Sequence, residues 1–235
     1  MNEKFRRGRL ITVLRLEPSL LDSTDGSMIA SEAIMARPPA IEAETGVRIL
    51  LNVQSARLTD DQFFRLCSDN RDFRIEMSAQ KELIIMSPTN SETGRRNAKV
   101  NQRLSNWAEK DGTGECFDSS SGFTLPNGAK RSPDAAWITK RRWNRLSKEE
   151  RQTFAPICPD FVIELRSPSD RLVDLEEKIG EYISNGASLG WLLDPVDNCV
   201  VIYRPEQNPE RIEAPTVISG DPVLPGFKFD FKEIV

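Results

Sequence analysis

Asp134, Glu164 and Lys178 are three residues of this sequence whose types and spacing fit a single chemical task. Two carboxylates from neighbouring strands can hold Mg²⁺ or Mn²⁺, because such hard cations prefer oxygen ligands. A metal held in this way activates water and offsets the charge that develops on phosphorus, while a lysine can orient the water. We therefore take the three residues as the candidate catalytic set, with the two acids as metal ligands.

The chain contains no histidine among its 235 residues. This absence excludes Ser-His-Asp and Cys-His catalysis, a histidine general base, and zinc sites that need histidine ligands. The four cysteines stand far apart and form no CxxC pair, so a zinc site built on them is not expected. Hydrolytic chemistry in this chain must therefore rely on carboxylates and lysine, for which a hard metal ion is the natural cofactor.

Asp134 follows Ser132 and Pro133 and opens an apolar segment that predicts a strand. Proline disfavours helix at the residue before it and has no N–H for the strand ladder, so it suits the start of a strand. An acid at the mouth of a buried strand is costly unless it is paired or binds a cation. An ordinary turn aspartate is the alternative interpretation, and the residues alone leave both open.

Glu164 lies inside the apolar segment Phe161–Arg166, which also predicts a strand. Side chains alternate along a strand, so Glu164 and Arg166 are expected on the same face. A glutamate in the interior of a sheet needs a partner. That partner is either a cation in a functional site or Arg166 in a purely structural pair.

Lys178 falls on a helix predicted over residues 174–185, with Gly186 placed to end it. On a helical wheel Lys178 lies about 40° from the edge of the apolar stripe. Its long side chain can run along the boundary of the core and bring the ammonium group near the sheet. A surface lysine whose stem lies on the helix is the alternative interpretation.

Another helix, predicted from about residue 91 to 109, changes character along one face. The C-terminal half of that face is apolar, whereas its N-terminal half carries Thr93, Arg96 and Asn97, with Glu92 at the flank. Such a change indicates a wet cavity, and the first turn of a helix favours anions such as phosphate. Glu92, Arg96 and Asn97 are therefore candidate substrate-binding or supporting residues; a frayed helix start is the alternative.

The elements that must position these residues alternate between strand and helix patterns over residues 46–235, which we predict to form one domain. A capping box of Thr59 and Gln62 predicts a further helix start, and residues 140–154 are predicted to be helical at least in part. The order predicts an α+β fold with a mixed β-sheet flanked by helices. The predicted strands are 73–77, 82–86, 115–119, 123–126, 134–138, 161–166, 189–193 and 199–204, with one or two more after residue 222.

Residues 1–45 mix Ser, Asp, Pro and Glu with short apolar pieces and no sustained period, which predicts a disordered N-terminal extension. The sequence has no long apolar run and no secretory signal, so no membrane partner is expected and the expected location is the cytoplasm.

The net charge of −4 does not indicate nucleic-acid binding, but the charge is unevenly distributed. Residues 130–151 contain eight Lys or Arg against three acids. A solvated surface is the alternative to a nucleic-acid interface for this cluster.

Several segments together resemble the Uma family of putative restriction endonucleases, a branch of the PD-(D/E)XK nuclease superfamily. The two main segments are Ser132–Trp137 (SPDAAW) and Cys158–Asp170 (CPDFVIELRSPSD). Further matching segments are IIMSPT at 84–89, Glu92-Thr93-Gly94 with Arg96-Asn97, GWLLDP at 190–195, VIYRP at 201–205 and VLPGF at 223–227. The resemblance covers about residues 47–235.

This resemblance implies a restriction-endonuclease-like fold, a divalent metal such as Mg²⁺ or Mn²⁺, and hydrolysis of phosphodiester bonds in DNA. By it, Asp134 is the acid of the PD motif and Glu164 is the second acid. DNA is the implied partner. Nucleases of the superfamily often pair to cut two strands, which leaves a homodimer open.

The sequence departs from the superfamily pattern at the third position of the motif, where Arg166 stands in place of lysine. The very high pKa of arginine makes it a poor proton carrier but a good partner for phosphate or carboxylate, so Arg166 joins the candidate supporting residues. Members of the family often take the lysine from the following helix, which corresponds to Lys178. Many relatives carry a histidine where this chain has Thr93, so any role of that histidine is lost or reassigned.

Two functions therefore compete at the level of sequence. The first is a Mg²⁺-dependent DNA endonuclease. The second is a catalytically inactive protein with a nuclease fold that binds DNA or a protein partner, which the acidic net charge and Arg166 favour somewhat. A purely structural domain is disfavoured by three ionisable residues at the edges of the predicted core.

Overall fold

The computed structural model of this protein describes residues 48–86 and 89–235. The disordered extension predicted for residues 1–45 lies outside these described residues. Within them the α-helices are α1 (Asp60–Asp69), α2 (Ser91–Asp111), α3 (Lys140–Trp143) and α4 (Leu172–Ser184). In this described part, none of the helices is long and apolar enough to cross a membrane.

The strands of the described residues follow the order in which the chain runs. They are β1 (Arg48–Asn52), β2 (Arg74–Met77), β3 (Glu82–Met86), β4 (Gly114–Asp118), β5 (Phe123–Thr124), β6 (Lys130–Arg131), β7 (Ala135–Thr139), β8 (Phe161–Leu165), β9 (Leu189–Asp194), β10 (Cys199–Tyr203), β11 (Glu210–Glu213), β12 (Val217–Ser219) and β13 (Lys228–Asp230).

These strands form two larger sheets and one small one. The first sheet has the order β1-β3-β2-β6-β5 and all its pairs are antiparallel. The second sheet has the order β11-β10-β9-β8-β7-β4, in which β8 and β9 are parallel and the other pairs antiparallel. Strands β12 and β13 pair with each other. The second sheet is thus mixed, as a βαβ crossover through α4 requires.

The two faces of the second sheet are covered by different helices, because side chains of a strand alternate between its faces. On one face, Phe161 and Ile163 of β8 share a core with Val100 and Leu104 of α2. On the other face, Val162 of β8 shares a core with Tyr182 of α4. Glu164 has the same parity as Val162 and therefore faces α4. This alternation decides which helix can supply its partner.

The predicted fold class, mixed sheets flanked by helices, is confirmed. Two local predictions are also confirmed. Thr59 and Gln62 form the predicted capping box, and β2 and β3 form the predicted hairpin. Gly186 follows the end of α4 with a φ of +107°, a conformation that glycine adopts at little cost. The frayed start considered for α2 is absent, since Asn90 Oδ1 accepts a hydrogen bond from the N–H of Thr93 at 2.9 Å.

Residues 140–154 are helical in part, as predicted: α3 and a single 3₁₀ turn, Glu150–Gln152, are the helical pieces there. Between them Ser147 and Glu150 exchange side chain–backbone hydrogen bonds of 2.7 and 3.1 Å. Such local bonds compete with a continuous helix. The chain therefore crosses the surface here instead of forming a long basic helix.

Candidate active site

Asp134 and Glu164 lie on neighbouring strands at the same end of the second sheet. Asp134 immediately precedes β7 and donates its N–H to the carbonyl of Ile163 at 3.0 Å. Its Oδ2 accepts a hydrogen bond from the N–H of Leu165 at 2.8 Å. These two bonds flank Glu164 along β8, so the antiparallel pairing places the two acids side by side.

Lys178 of α4 brings its ammonium group to the same place. Its Nζ lies 2.8 Å from Glu164 Oε1, and it donates hydrogen bonds to Glu76 Oε1 at 2.9 Å and to the carbonyl of Ser132 at 3.0 Å. The side chain is 10% exposed. Of the two arrangements that the sequence leaves open, the structure has the one in which the lysine reaches the sheet.

Glu76 of β2 is a member of this cluster that the sequence interpretation missed. It is 1% exposed, and besides Lys178 it accepts hydrogen bonds from Arg131 Nη1 at 3.2 Å and from the N–H of Ser132 at 3.1 Å. The sequence did not mark it as buried, because β2 reads Arg-Ile-Glu-Met, an alternation of polar and apolar residues that is typical of a half-exposed strand.

Arg74 is the second missed member, and it lies on the same face of β2 as Glu76 because the two are two residues apart. Its Nη1 donates a hydrogen bond to Asp134 Oδ1 at 3.0 Å, and its Nη2 lies 3.8 Å from Glu76 Oε1. It also donates to the carbonyl of Ser132. Its side chain is 31% exposed, so it forms the solvent-facing side of the cluster.

The pKa values of the two buried glutamates, Glu164 and Glu76, are shifted in opposite directions. Burial raises the pKa of Glu164 to about 8, because the ammonium of Lys178 offsets only part of the lost hydration. Burial alone would also raise the pKa of Glu76, but Lys178 and Arg131 lower it to about 2. Glu76 is therefore ionised at neutral pH and holds Lys178 in place. Glu164 is the acid whose charge gains most from one more cation.

The donors at this position suit a hard divalent cation. Glu164 Oε1 has no hydrogen-bond partner among the described residues, since its contact with Lys178 is an ion pair without hydrogen-bond geometry. In the described ranges no three His, Cys, Asp or Glu side chains lie close enough to hold a metal by themselves. Mg²⁺ commonly binds one or two carboxylates and completes its shell with water and phosphate oxygens. Asp134 and Glu164 fit that pattern.

Arg166, which occupies the usual lysine position of the motif, serves another part of the molecule. Its Nη1 lies 2.7 Å from Asp194 Oδ2 and 2.7 Å from Asp197 Oδ2. Asp194 is fully buried at the end of β9, and Arg166 therefore anchors the turn between β9 and β10. The structural Glu164–Arg166 pair that the sequence allowed is not formed, because Glu164 pairs with Lys178.

The candidate residues of α2 divide into two groups. Glu92 is exposed and pairs with Arg95 at 2.7 Å and with Arg96 at 3.1 Å, so its ion pairs lie on the helix surface. Asn97, in contrast, is connected to Asp134 through one intermediate residue, Asn101. Its Oδ1 accepts from Asn101 Nδ2 at 2.9 Å, and the same amide donates to the backbone carbonyl of Asp134 at 2.9 Å. Asn101 was not singled out in the sequence.

The basic cluster of residues 130–151 is split by the fold. Arg131 lies beside Glu76 in the site. Most of the others belong to α3 and the segment after it, which follow the far end of β7. There Arg142 Nη1 binds Asp160 Oδ1 at 2.6 Å. The greater part of this positive charge therefore lies at the opposite end of β7 from Asp134.

Comparison with known proteins gives a family and a fold. A model of the family described as "Uma2: Putative restriction endonuclease" matches residues 60–232. The chain is also similar to a crystal structure of a putative nuclease belonging to DUF820 from Anabaena variabilis, at 21% identity and a TM-score of 0.61, over 75% of this chain and 97% of that chain. At this identity the likeness shows the fold alone.

A second solved structure, a cryo-EM structure of a DrdV–DNA complex, matches at 17% identity with a TM-score of 0.33, over 52% of this chain and 10% of that chain. This likeness is too weak to carry an argument. A search of curated proteins gave no match.

Proposed function

The chain belongs to the Uma2 family of putative restriction endonucleases, and from that premise we propose that it is a Mg²⁺-dependent endonuclease that hydrolyses phosphodiester bonds in DNA. The observation that carries the proposal is the meeting of three groups at one end of the second sheet. Asp134 is hydrogen bonded on both sides of Glu164, and the ammonium of Lys178 lies 2.8 Å from the Glu164 carboxylate.

In this proposal Asp134 and Glu164 would hold the divalent cation. When bound, the cation supplies Lewis-acid stabilisation of the phosphate oxygens and activates water. The cation would also stabilise the ionised form of Glu164. Without a metal, burial raises the pKa of this carboxyl group to about 8 although Lys178 lies beside it. Mn²⁺ has the same preference for oxygen ligands and is expected to substitute.

Lys178 orients the attacking water or stabilises negative charge as it develops on the phosphate. Three oxygens fix its ammonium group, and one of them belongs to Glu76, whose pKa is lowered to about 2. A permanently charged partner keeps the ammonium aimed at the acids without any rearrangement during the reaction. Glu76 acts through Lys178 and is a positioning residue.

The test is cleavage of supercoiled plasmid DNA by the purified full chain with Mg²⁺ or Mn²⁺. We expect nicked or linear products, no products with EDTA, and loss of cleavage in Asp134→Ala and in Glu164→Ala. Cleavage that persists unchanged in both variants would overturn the proposal.

A second candidate is a catalytically inactive nuclease-fold protein that binds DNA or a protein partner. Arg166 in the lysine position of the motif and the net charge of −4 favour it. Titration with Mn²⁺ separates the two candidates: heat of binding that Asp134→Ala removes supports the nuclease. DNA binding by a wild type that takes up no metal supports the inactive protein.

DNA as substrate, a homodimer and a cytoplasmic location remain predictions. The basic residues of α2 are candidates for phosphate contacts, since Asn101 of the same helix donates a hydrogen bond to the backbone carbonyl of Asp134. Light scattering of the purified chain with and without a short duplex measures whether two copies assemble.

A further inference from the structure

Arg74 competes for the oxygen that a metal at this site would use. Asp134 Oδ2 is already occupied by the N–H of Leu165 at 2.8 Å. Its other oxygen, Oδ1, accepts a hydrogen bond from Arg74 Nη1 at 3.0 Å. Both oxygens of the first acid are thus engaged, and the group on Oδ1 carries a full positive charge.

The two cations next to the acids differ in their exposure to solvent. Lys178 is 10% exposed and its ammonium contacts three oxygens within 3.0 Å. Arg74 also contacts three oxygens, those of Asp134, of the Ser132 carbonyl and, at 3.8 Å, of Glu76, but its side chain is 31% exposed and its buried Nε has no hydrogen-bond partner among the described residues. Arg74 is therefore the cation whose side chain has a direct path to solvent.

A metal bound to Asp134 Oδ1 would be a close neighbour of the guanidinium group if Arg74 stayed where it is. Like charges at such a distance repel strongly where water is partly excluded. A guanidinium cannot remove this repulsion by losing its proton, because arginine stays charged in proteins. Movement of the side chain is the remaining way to relieve the repulsion.

We propose that Arg74 is a resident cation that closes the Asp134 side of the site, so that a divalent metal binds by displacing its guanidinium from Asp134 Oδ1. The inference rests on the proposed function in taking Asp134 as a metal ligand. It adds that metal binding is an exchange of cations, and that the affinity for metal is set in part by how tightly Arg74 holds Asp134.

The fold supplies two controls for this idea. Arg142 forms the equivalent pair with Asp160 at the other end of β7, at 2.6 Å, far from the acids. Arg131 lies in the cluster and binds Glu76 at 3.2 Å and Glu181 at 2.6 Å, so its removal takes away a nearby charge without freeing Asp134.

The experiment is calorimetric titration of Mn²⁺ into the full-length wild type and the variants R74M, R131M and R142M, without DNA. We expect R74M to bind Mn²⁺ about tenfold more tightly than the wild type, as removal of a like-charge contact predicts. We expect R142M to bind like the wild type and R131M to gain clearly less than R74M.

Equal gains in R74M and R131M would show a general effect of charge and overturn the exchange. R74M binding no tighter than the wild type would overturn it as well. Absence of binding in every protein would contradict the metal site itself, and therefore the proposed function too.

Should R74M fail to fold, the wild type gives an independent measurement. The side-chain ¹⁵Nε–H signal of Arg74 should shift on addition of Mg²⁺ while that of Arg142 stays constant. A constant Arg74 signal in a protein that binds Mg²⁺ would overturn the inference and leave the proposed function standing.

Discussion

Two Pro-Asp dipeptides begin the neighbouring antiparallel strands β7 and β8 from opposite ends, and their local geometry is nearly the same. Asp134 donates its N–H to the carbonyl before Glu164 at 3.0 Å and accepts from the N–H after Glu164 at 2.8 Å. Asp160 makes the same two bonds on either side of Ile138, at 3.1 and 2.9 Å. The dipeptide is therefore a device for starting a strand against its antiparallel neighbour.

The resemblance extends to the side chains. Each aspartate is 13% exposed and each pairs with an arginine, Asp134 with Arg74 at 3.0 Å and Asp160 with Arg142 at 2.6 Å. Neither the motif nor its burial nor its ion pair separates the two positions.

The residue opposite each aspartate does separate them. At one end it is the buried Glu164, with Lys178 beside it. At the other end it is Ile138, which is fully buried and apolar. Under the proposed function, a Pro-Asp motif gains chemistry only where the neighbouring strand and α4 add a second acid and a lysine, and this difference can be tested residue by residue.

The largest expected effect is on cleavage in the matched pair D134N and D160N. Each variant replaces a carboxylate that accepts the same kinds of hydrogen bond, so each should lose a similar stability of about 1–3 kcal/mol. Only D134N should lose DNA cleavage, by about 10²-fold or more, because the metal that Asp134 is proposed to hold would stabilise the transition state by several kcal/mol. Rates from a plasmid assay and unfolding midpoints in urea measure the two effects; equal losses of cleavage would erase the distinction between the two ends.

The next effect is expected from the lysines at the two ends. K178M should lower the cleavage rate by about 10²-fold, because the ammonium lies within 2.8 Å of Glu164. K140M is the control: Lys140 is exposed and donates to the carbonyl of Gly112 at 2.9 Å. Circular dichroism is needed for K178M, since it leaves buried acids without their cation. If K178M folds and cleaves DNA at the wild-type rate, Lys178 takes no part in the reaction.

A moderate effect is expected on the way in which the free energy of unfolding depends on pH in the absence of metal. The pKa of Glu164 is raised to about 8 in the folded chain, above its ordinary value of 4.5. Between these values the folded state binds more protons than the unfolded state, so the free energy of unfolding should fall as pH rises from about 5 to 8. E164Q should flatten this part of the profile, as urea titrations at several pH values would show. An equally steep decline in E164Q would contradict the buried, protonated state of Glu164.

Glu76 should act in the opposite direction at lower pH. Its pKa is lowered to about 2, so its contribution to stability is present above its ordinary value of 4.5 and is lost as pH falls towards 2. In E76Q the free energy of unfolding should therefore depend less on pH between about 4.5 and 2 than in the wild type. Fluorescence of the tryptophans during unfolding at several pH values measures this dependence.

The smallest effect on cleavage is expected from R166M. Arg166 binds the buried Asp194 and neither Asp134 nor Glu164. This variant should therefore lower the unfolding midpoint and change the cleavage rate little. A large loss of cleavage at unchanged stability would show that the lysine position of the motif still takes part in the chemistry.

Much of the fold could be predicted because local signals and tertiary packing agree. Thr59 with Gln62, the hairpin of β2 and β3, and Gly186 after α4 are set by interactions within a few residues, and each is present. Short or edge strands were missed for the converse reason. β6 has only two residues, and β1 reads Arg-Ile-Leu-Leu-Asn, three apolar residues in a row without alternation, so neither shows the period of two that is typical of a strand.

The meeting of Asp134, Glu164 and Lys178 in the candidate site could be predicted where family motifs and strand parity coincided, whereas partners that come from distant parts of the sequence could not. Asp134 and Glu164 begin or interrupt apolar strands, and their neighbours in the chain reveal them. Arg74 and Glu76 join them only because β2 pairs with β6 just before Asp134, at the single register Met77 with Lys130. Such long-range pairing has no local signal.

The most direct measurement is a crystal structure of the full chain soaked in Mn²⁺, with the metal located by its anomalous scattering. We predict one peak beside the carboxylates of Asp134 and Glu164, with the guanidinium of Arg74 moved away from Asp134, and no peak at Asp160. No peak at the Asp134 end, or a peak of equal strength at Asp160, would contradict the account.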